Sequence, residues 1–187
     1  MRRLFGIGRN PKTFEFECSD CGEIHRGSPS FAYAKPTYCL DVPEPERDSR
    51  IQISDDLCTI SPAPDEKGGE TICCIRVTLD IPIHSVPDPF CWGVWVTQSE
   101  DSFQRYVETF SSDQSKDGSF GWLAVTMPFY NASPPGEPFE SLACDIEWGA
   151  MGKRPKAILH ETTHQLFLDQ CNGISWEKAI MLARAMM

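Results

Sequence analysis

No stretch of this chain is long and apolar enough to span a bilayer. A membrane helix needs about 20 such residues, and charged residues, Gly or Pro break every apolar run well before that. The start, Met1 to Arg9, has arginines but no apolar segment of the kind a secretory signal carries behind them. Residues 1–12 read as a flexible tail, and no membrane association is expected. Positive charge is also scarce: 17 Lys and Arg stand against 27 Asp and Glu, a net charge of −10. Nine of the acids lie between Asp41 and Glu70, against Arg47, Arg50 and Lys67. Phosphate contacts dominate nucleic-acid affinity, so this balance argues against a nucleic-acid partner, and solubility is its expected role. Histidine is rare, at four residues. A disulfide framework is missing too. The nine cysteines are odd in number and include the vicinal pair Cys73-Cys74, which fits a reducing cytoplasm where thiols are ligands, buried filler or reactive groups.

What is present suffices for one folded domain over residues 13–187, with a cysteine-containing segment at 13–60 and sheet and helices at 71–187. Thr13 to Glu17 alternates apolar and polar residues and reads as a strand. Residues 27–50, with Pro29, Pro36, Pro43 and Pro45, should be mostly irregular and packed through Phe31, Tyr33 and Tyr38. Short strands are predicted at 50–53 and 57–60, a loop at 61–70, and a long β-branched strand at 71–83. Further strands are predicted at 90–97, 119–127, 142–148 and 155–159. Ser99 should cap a helix whose residues Phe103, Tyr106, Val107 and Phe110 give it one buried face. Helical patterns broken at Gly173 close the chain, the second starting at Ser175. Strands in a run, with one helix among them and more at the end, predict an α+β fold: a largely antiparallel sheet packed by a few helices.

The segment with a specific chemical reading is Cys18-Ser19-Asp20-Cys21-Gly22-Glu23-Ile24-His25. Two thiolates two residues apart can reach one zinc ion from a single turn. Gly22 suits the position after the second ligand, where the backbone often needs a left-handed conformation. A redox dithiol would sit where a strand feeds a helix, and the residues after Cys21 make a poor helix start. A zinc-knuckle-like turn on Cys18 and Cys21 is therefore expected. Cys58, on a strand just after a turn, is the first candidate for a third ligand and His25 the second. Cys39, Cys73 and Cys91 are alternatives, and of Cys73 and Cys74 only one could ligate because they point to opposite faces.

His160-Glu161-Thr162-Thr163-His164 matches the zinc-protease pattern H-E-x-x-H literally, which requires both histidines on one helical face. Here the preceding residues read as a strand, Pro155 and two threonines disfavour helix, and no third-ligand continuation follows. The bland alternative is a turn in which Thr162 or Thr163 caps the next helix.

With these residues in hand, the chain resembles DUF2199, a bacterial family of uncharacterised proteins. The resemblance runs from Phe16 to about Ile174. It rests on Phe16-Glu17-Cys18-x-x-Cys21-Gly22-Glu23-x-His25, Glu46-Arg47, Asp56-x-Cys58-x-Ile60 and Leu79-x-Ile81-Pro82-Ile83. It continues through Trp92-Gly93-Val94-Trp95-Val96, Phe120-Gly121-Trp122-Leu123, Arg154-Pro155, His164-x-Leu166 and Gln170-x-Asn172-Gly173-Ile174. It implies a cysteine at the Cys58 position, in support of Cys58 as a ligand. It also implies Glu-Pro-Thr where this chain has His160-Glu161-Thr162, so the H-E-x-x-H match is accidental and His164 alone follows the family pattern. It implies no activity.

The resulting expectation is a non-catalytic, zinc-stabilised binding or adaptor domain of the cytoplasm, with a protein or small molecule as partner. Exposed aromatic clusters at Trp92/Trp95 and Trp122 would serve it, although buried tryptophans usually belong to the core. The alternative is a metal-assisted hydrolase using His164 with Glu161 or another carboxylate.

Overall fold

β-Branched and aromatic residues at alternate positions, punctuated by Gly and Pro, set the order of elements. The computed structural model describes residues 14–17, 22–28, 30–127, 129–130 and 141–186. Within them run β1 (Glu15–Glu17), β2 (Ile24–Arg26), β3 (Ser30–Ala32), α1 (Tyr38–Asp41), a 3-10 turn (Glu44–Glu46) and α2 (Arg47–Arg50). There follow β4 (Ile51–Ile53), β5 (Leu57–Ile60), β6 (Ile72–Ile81), β7 (Phe90–Gln98), α3 (Glu100–Thr109) and β8 (Gly118–Trp122). The chain closes with β9 (Ala143–Glu147), β10 (Lys156–Leu159), α4 (Gln165–Asn172) and α5 (Trp176–Ala185). Two compact units result: Met1–Phe31 with Asp80–Trp92 and Thr162–Met187, and Ala32–Leu79 with Gly93–Glu161. Each is described by itself.

β1 and β2 form an antiparallel hairpin, with Glu15 opposite Arg26 and Glu17 opposite Ile24. The remaining strands follow the order β3-β7-β6-β10-β9-β8, with β4 paired to β5 and β5 to β6. The α+β class stands, but the sheet is mixed rather than largely antiparallel. β10 runs parallel to β6, Lys156 opposite Thr78, whereas β9 is antiparallel to β10 and β8 and β5 is antiparallel to β4 and β6. Strands joined by a short turn must be antiparallel, which sequence shows directly. β6 and β10 are separated by β7, α3, β8 and β9, so no local turn dictates their direction.

In the second unit the inward residues of the sheet, Ile75, Val77, Leu79, Val94, Val96, Ile146 and Leu159, are buried. Burying each aliphatic side chain contributes about 1.5–3 kcal/mol. Trp95 is fully buried, and its indole N–H donates to the Tyr33 carbonyl (2.9 Å). β8 ends at Trp122, short of the predicted 127, because the chain there turns to meet β7. Leu123 bridges Val96, and the Ala124 amide donates to the Trp95 carbonyl (2.8 Å). The other edge of β8 is covered by side chains. The Trp122 amide donates to Thr97 Oγ1 (3.1 Å), and Arg105 donates to the Gly118 carbonyl (2.7 Å). Ser119 Oγ donates to Gln98 Oε1 (2.6 Å) and accepts from the Trp148 indole (3.0 Å). An edge whose backbone groups are satisfied in this way does not recruit another strand.

α3 starts as predicted, with Ser99 Oγ accepting the Ser102 amide (3.2 Å), but its apolar face is only partly buried. Tyr106 goes inward against Trp148 while Val107 and Phe110 stay exposed. Those two line a groove of about 310 Å³ with Ser54, Asp55, Asp56 and Leu57. Residues 30–50 are also more ordered than expected: the prolines interrupt helix without abolishing it, leaving the short α1, 3-10 turn and α2.

In the first unit Phe31, Phe90 and Trp92 form a buried cluster with ring centroids 5.0–5.9 Å apart, and Phe14 packs on Trp176. α4 ends at Gly173, after which the Ile174 amide donates to the Pro82 carbonyl (2.8 Å). Ser175 caps α5 by accepting the Lys178 amide (3.2 Å). Asp169, 4% exposed, holds the two helices together by pairing with Lys178 (2.6 Å) while accepting from Gln165 (2.8 Å).

Candidate functional site

Cys18 and Cys21 lie outside the described residues. What is described is their frame. The strands that flank residues 18–23 are paired, and Arg26 bridges Glu15 (2.8 Å). Gly22 has φ +72°, the left-handed conformation anticipated for the residue after the second thiol. The His25 backbone sits in β2 opposite Phe16.

Residues 160–164 contain no helix. His160 continues β10, its amide donating to the Ala143 carbonyl (2.9 Å). Glu161 follows, exposed. The residue that caps α4 is His164 rather than either threonine: its Nδ1 accepts the Leu166 amide (3.1 Å). A ring nitrogen does here what a Ser or Asp oxygen usually does, a role that a sequence search for oxygen caps misses. It leaves only Nε2 of His164 for a metal or a proton.

The seven described cysteines form no disulfide among the described residues. Cys58 is fully buried, and the sulfur beside it is that of Cys39, at 3.8 Å. Burial pushes the Cys58 thiol up to about 12, with the Cys39 thiol adding to the rise. Burial raises Cys39 as well, against the pull of Lys35 and Arg47. Cys74 faces Cys58 across the β5–β6 pairing, and Cys73 is buried on the same strand. Cys91 is half-buried. Among the described residues no three His, Cys, Asp or Glu side chains are grouped so as to hold one metal ion.

Trp92 and Trp95 are core, whereas Trp122 is 44% exposed and Phe120, at 47%, lies edge-on to it with centroids 5.6 Å apart. Period-two alternation in three neighbouring strands brings these rings into rows. Phe120, Asp145 and Ile158 make one row; Trp122, Ala143 and His160 the next; Gly118, Glu147 and Lys156 the third. His160 packs against Phe120 (5.5 Å between centroids), and its Nε2 lies 3.1 Å from Asp145 Oδ1. The outer face of β8, β9 and β10 is thus an open surface of two aromatic rings, one aliphatic side chain and a histidine around a largely exposed carboxylate. Each strand's alternation is legible in sequence. The register that assembles Asp145, Ile158 and His160 around the rings is not, because it depends on which strands become neighbours.

A family model described as "Uncharacterized protein conserved in bacteria (DUF2199)" matches residues 17–174. No curated protein and no solved structure matches the chain. Among the described residues no helix is long and apolar enough to cross a membrane.

Proposed function

We propose that this chain, which belongs to the bacterial family of uncharacterised proteins DUF2199, is a non-catalytic binding domain whose partner docks on the outer face of β8, β9 and β10. The observation that carries this reading is the exposed pair Phe120 and Trp122, held on strands whose edges are already satisfied. Rigid aromatic side chains supply much of the energy of protein recognition. Asp145 lies directly opposite Phe120 in the same row, beside His160, on a chain of net charge −10. The matching partner is a protein or peptide segment that presents an arginine or lysine ringed by apolar side chains, its cation meeting the carboxylate and the ring faces together.

Zinc on Cys18 and Cys21 is the second part of the proposal, as a staple for the β1–β2 hairpin in a reducing cytoplasm. Its support is the ligand spacing, the pairing of the flanking strands and the Gly22 conformation. Cys58 and His25 are the candidates from sequence for completing the shell. The hydrolase alternative would use His164 and Glu161, and the engagement of His164 Nδ1 with α4 argues against it.

Two fluorescein-labelled leucine-rich nonapeptides, one with a central arginine and one with a central glutamate, test the docking face by fluorescence anisotropy titration. The arginine peptide should bind, F120A and W122A should each weaken it by about tenfold or more, and D145K should reverse the preference. Equal binding of both peptides, or unchanged affinity in W122A, refutes the docking face. Metal analysis of the purified chain should find about one zinc held by the Cys18–Cys21 turn, lost in C18S; retention of that zinc in C18S refutes the staple.

A further inference from the structure

A strand paired on one side only carries backbone donors and acceptors on the other, where an added strand can meet them. β8 has that edge covered by side chains. β4, paired only to β5, does not. The Ser54 amide donates to the Leu57 carbonyl (2.8 Å), and the Ser61 amide to the Arg50 carbonyl (2.9 Å). Bonded and non-bonded pairs alternate along an antiparallel ladder. With Gln52 opposite Thr59, the backbone groups of Ile51 and Ile53 therefore point away from β5. The Ile51 amide turns back to the Arg47 carbonyl. The Ile51 carbonyl and both backbone groups of Ile53 remain, and no described residue meets them.

Each face of this edge also carries a groove. Ile51 and Ile53 share one face, where Lys35, Cys39, Arg47 and Asp48 complete a groove of about 490 Å³. Gln52 points to the other, where Leu57, Thr59, Phe103 and Val107 line a groove of about 330 Å³. The first sets two cations against one carboxylate on a chain of net charge −10. The second is walled by the half-exposed stripe of α3. Ile53 stands between them, 46% exposed.

We propose that the edge of β4 accepts an extended segment of another protein in which acidic and apolar residues alternate. An antiparallel arrangement gives the stronger ladder. The added residue opposite Ile53 then exchanges two hydrogen bonds with it and places its side chain on the same face, where a glutamate or aspartate meets Lys35 and Arg47. The residue next to it turns to the groove of Phe103 and Val107, which suits valine or leucine. Backbone bonds supply affinity and the two grooves select the sequence. β5 and β6 separate β4 from β10, so this edge is distinct from the docking face of β8, β9 and β10 and takes a partner of the opposite charge.

A fluorescein-labelled heptapeptide of alternating valine and glutamate, titrated with the full-length chain by fluorescence anisotropy, tests this. It should bind, and the same peptide with lysine for glutamate should bind about tenfold more weakly or worse. N-methylation of the glutamate amides, which face Ile53, should abolish binding; N-methylation of the valine amides, which face away, should spare it. K35E should weaken binding by about tenfold, and K153E, at an exposed lysine outside both grooves, should leave it unchanged. I53P removes the edge donor without breaking a bond to β5 and should lose binding too. Failure of the unmodified peptide to bind, equal binding of the two methylated peptides, or unaltered binding in K35E overturns the inference. A chain that ignores the peptide but sediments as a dimer, with I53P a monomer, assigns the edge to a second copy and overturns it as well.

Discussion

Gly121→Ala is the substitution to which the docking face should be most sensitive. Gly121 lies between Phe120 and Trp122, facing inward, where β8 meets β7. A Cβ there would collide with the Thr97 carbonyl and come within 2.9 Å of Gln98 Nε2 and 3.0 Å of Ile146 Cδ1. Two of these three neighbours cannot swing away freely: the carbonyl is backbone, and Gln98 is held by Ser119. β8 must therefore back off from β7. Overpacking alone costs about 1–3 kcal/mol. Retreat also weakens the hydrogen bonds from Trp122 N to Thr97 Oγ1 and from Ala124 N to the Trp95 carbonyl, at roughly 1 kcal/mol each. The total of about 3–5 kcal/mol is a large share of the 5–15 kcal/mol typical of a domain. It corresponds to a fall in melting temperature of about 6–20 °C for a chain of this size. Urea denaturation followed by circular dichroism measures it, with Thr97→Val as the comparison. That variant keeps the shape but orphans the Trp122 amide and should cost only about 1–3 kcal/mol. Because the two rings flank Gly121, G121A should also shift the emission of the exposed Trp122. A G121A chain as stable as wild type would show that β8 does not close on β7 as described, and the positioning of the docking face would fall with it.

His164→Ala should cost about 0.5–2 kcal/mol through loss of the α4 cap, and H164N should recover most of it; equal melting temperatures for the two variants would remove the capping role. Asp169→Ala leaves the Lys178 ammonium without its carboxylate at a site only partly open to water. A loss of about 2–3 kcal/mol, below that of a fully buried pair, should appear in the same denaturation assay, and an unchanged midpoint would refute the α4–α5 tie. Burial raises the Cys144 thiol from 9.0 to about 12 and the Tyr106 phenol from 10.0 to about 12. Unfolding therefore releases protons above pH 9, so the stability these neutral groups contribute is intact below that pH and declines as pH climbs towards 12. The decline is up to about 1.4 kcal/mol per pH unit per group. C144A should flatten part of that decline between pH 9 and 11, and an unaltered slope would refute the assignment.

Local signals were enough for most elements. Ser99, Gly173 and Ser175 mark helix ends in the sequence because capping is chemistry between neighbours. The strand at 72–81 is legible from its run of Ile, Val and Thr. The acidic balance is legible in the sequence for the same reason: charge is a sum over residues and needs no fold. The CxxCG spacing anticipated the left-handed Gly22, since that is a property of a few consecutive residues. What depends on distant residues meeting was decided only by tertiary structure. The parallel entry of β10 beside β6, the half-exposed stripe of α3 and the use of His164 as a cap each follow from packing that no local pattern encodes. So do the two sites proposed. Trp122 reads more readily as core, as tryptophans usually are, and its exposure emerges only when β8, β9 and β10 are set side by side. β4 reads as a short strand, and becomes an open edge only when the order of the sheet leaves it paired to β5 alone. Alternation tells a strand which side chains share a face; only the order and register of the sheet decide which faces are covered and which edges stay open.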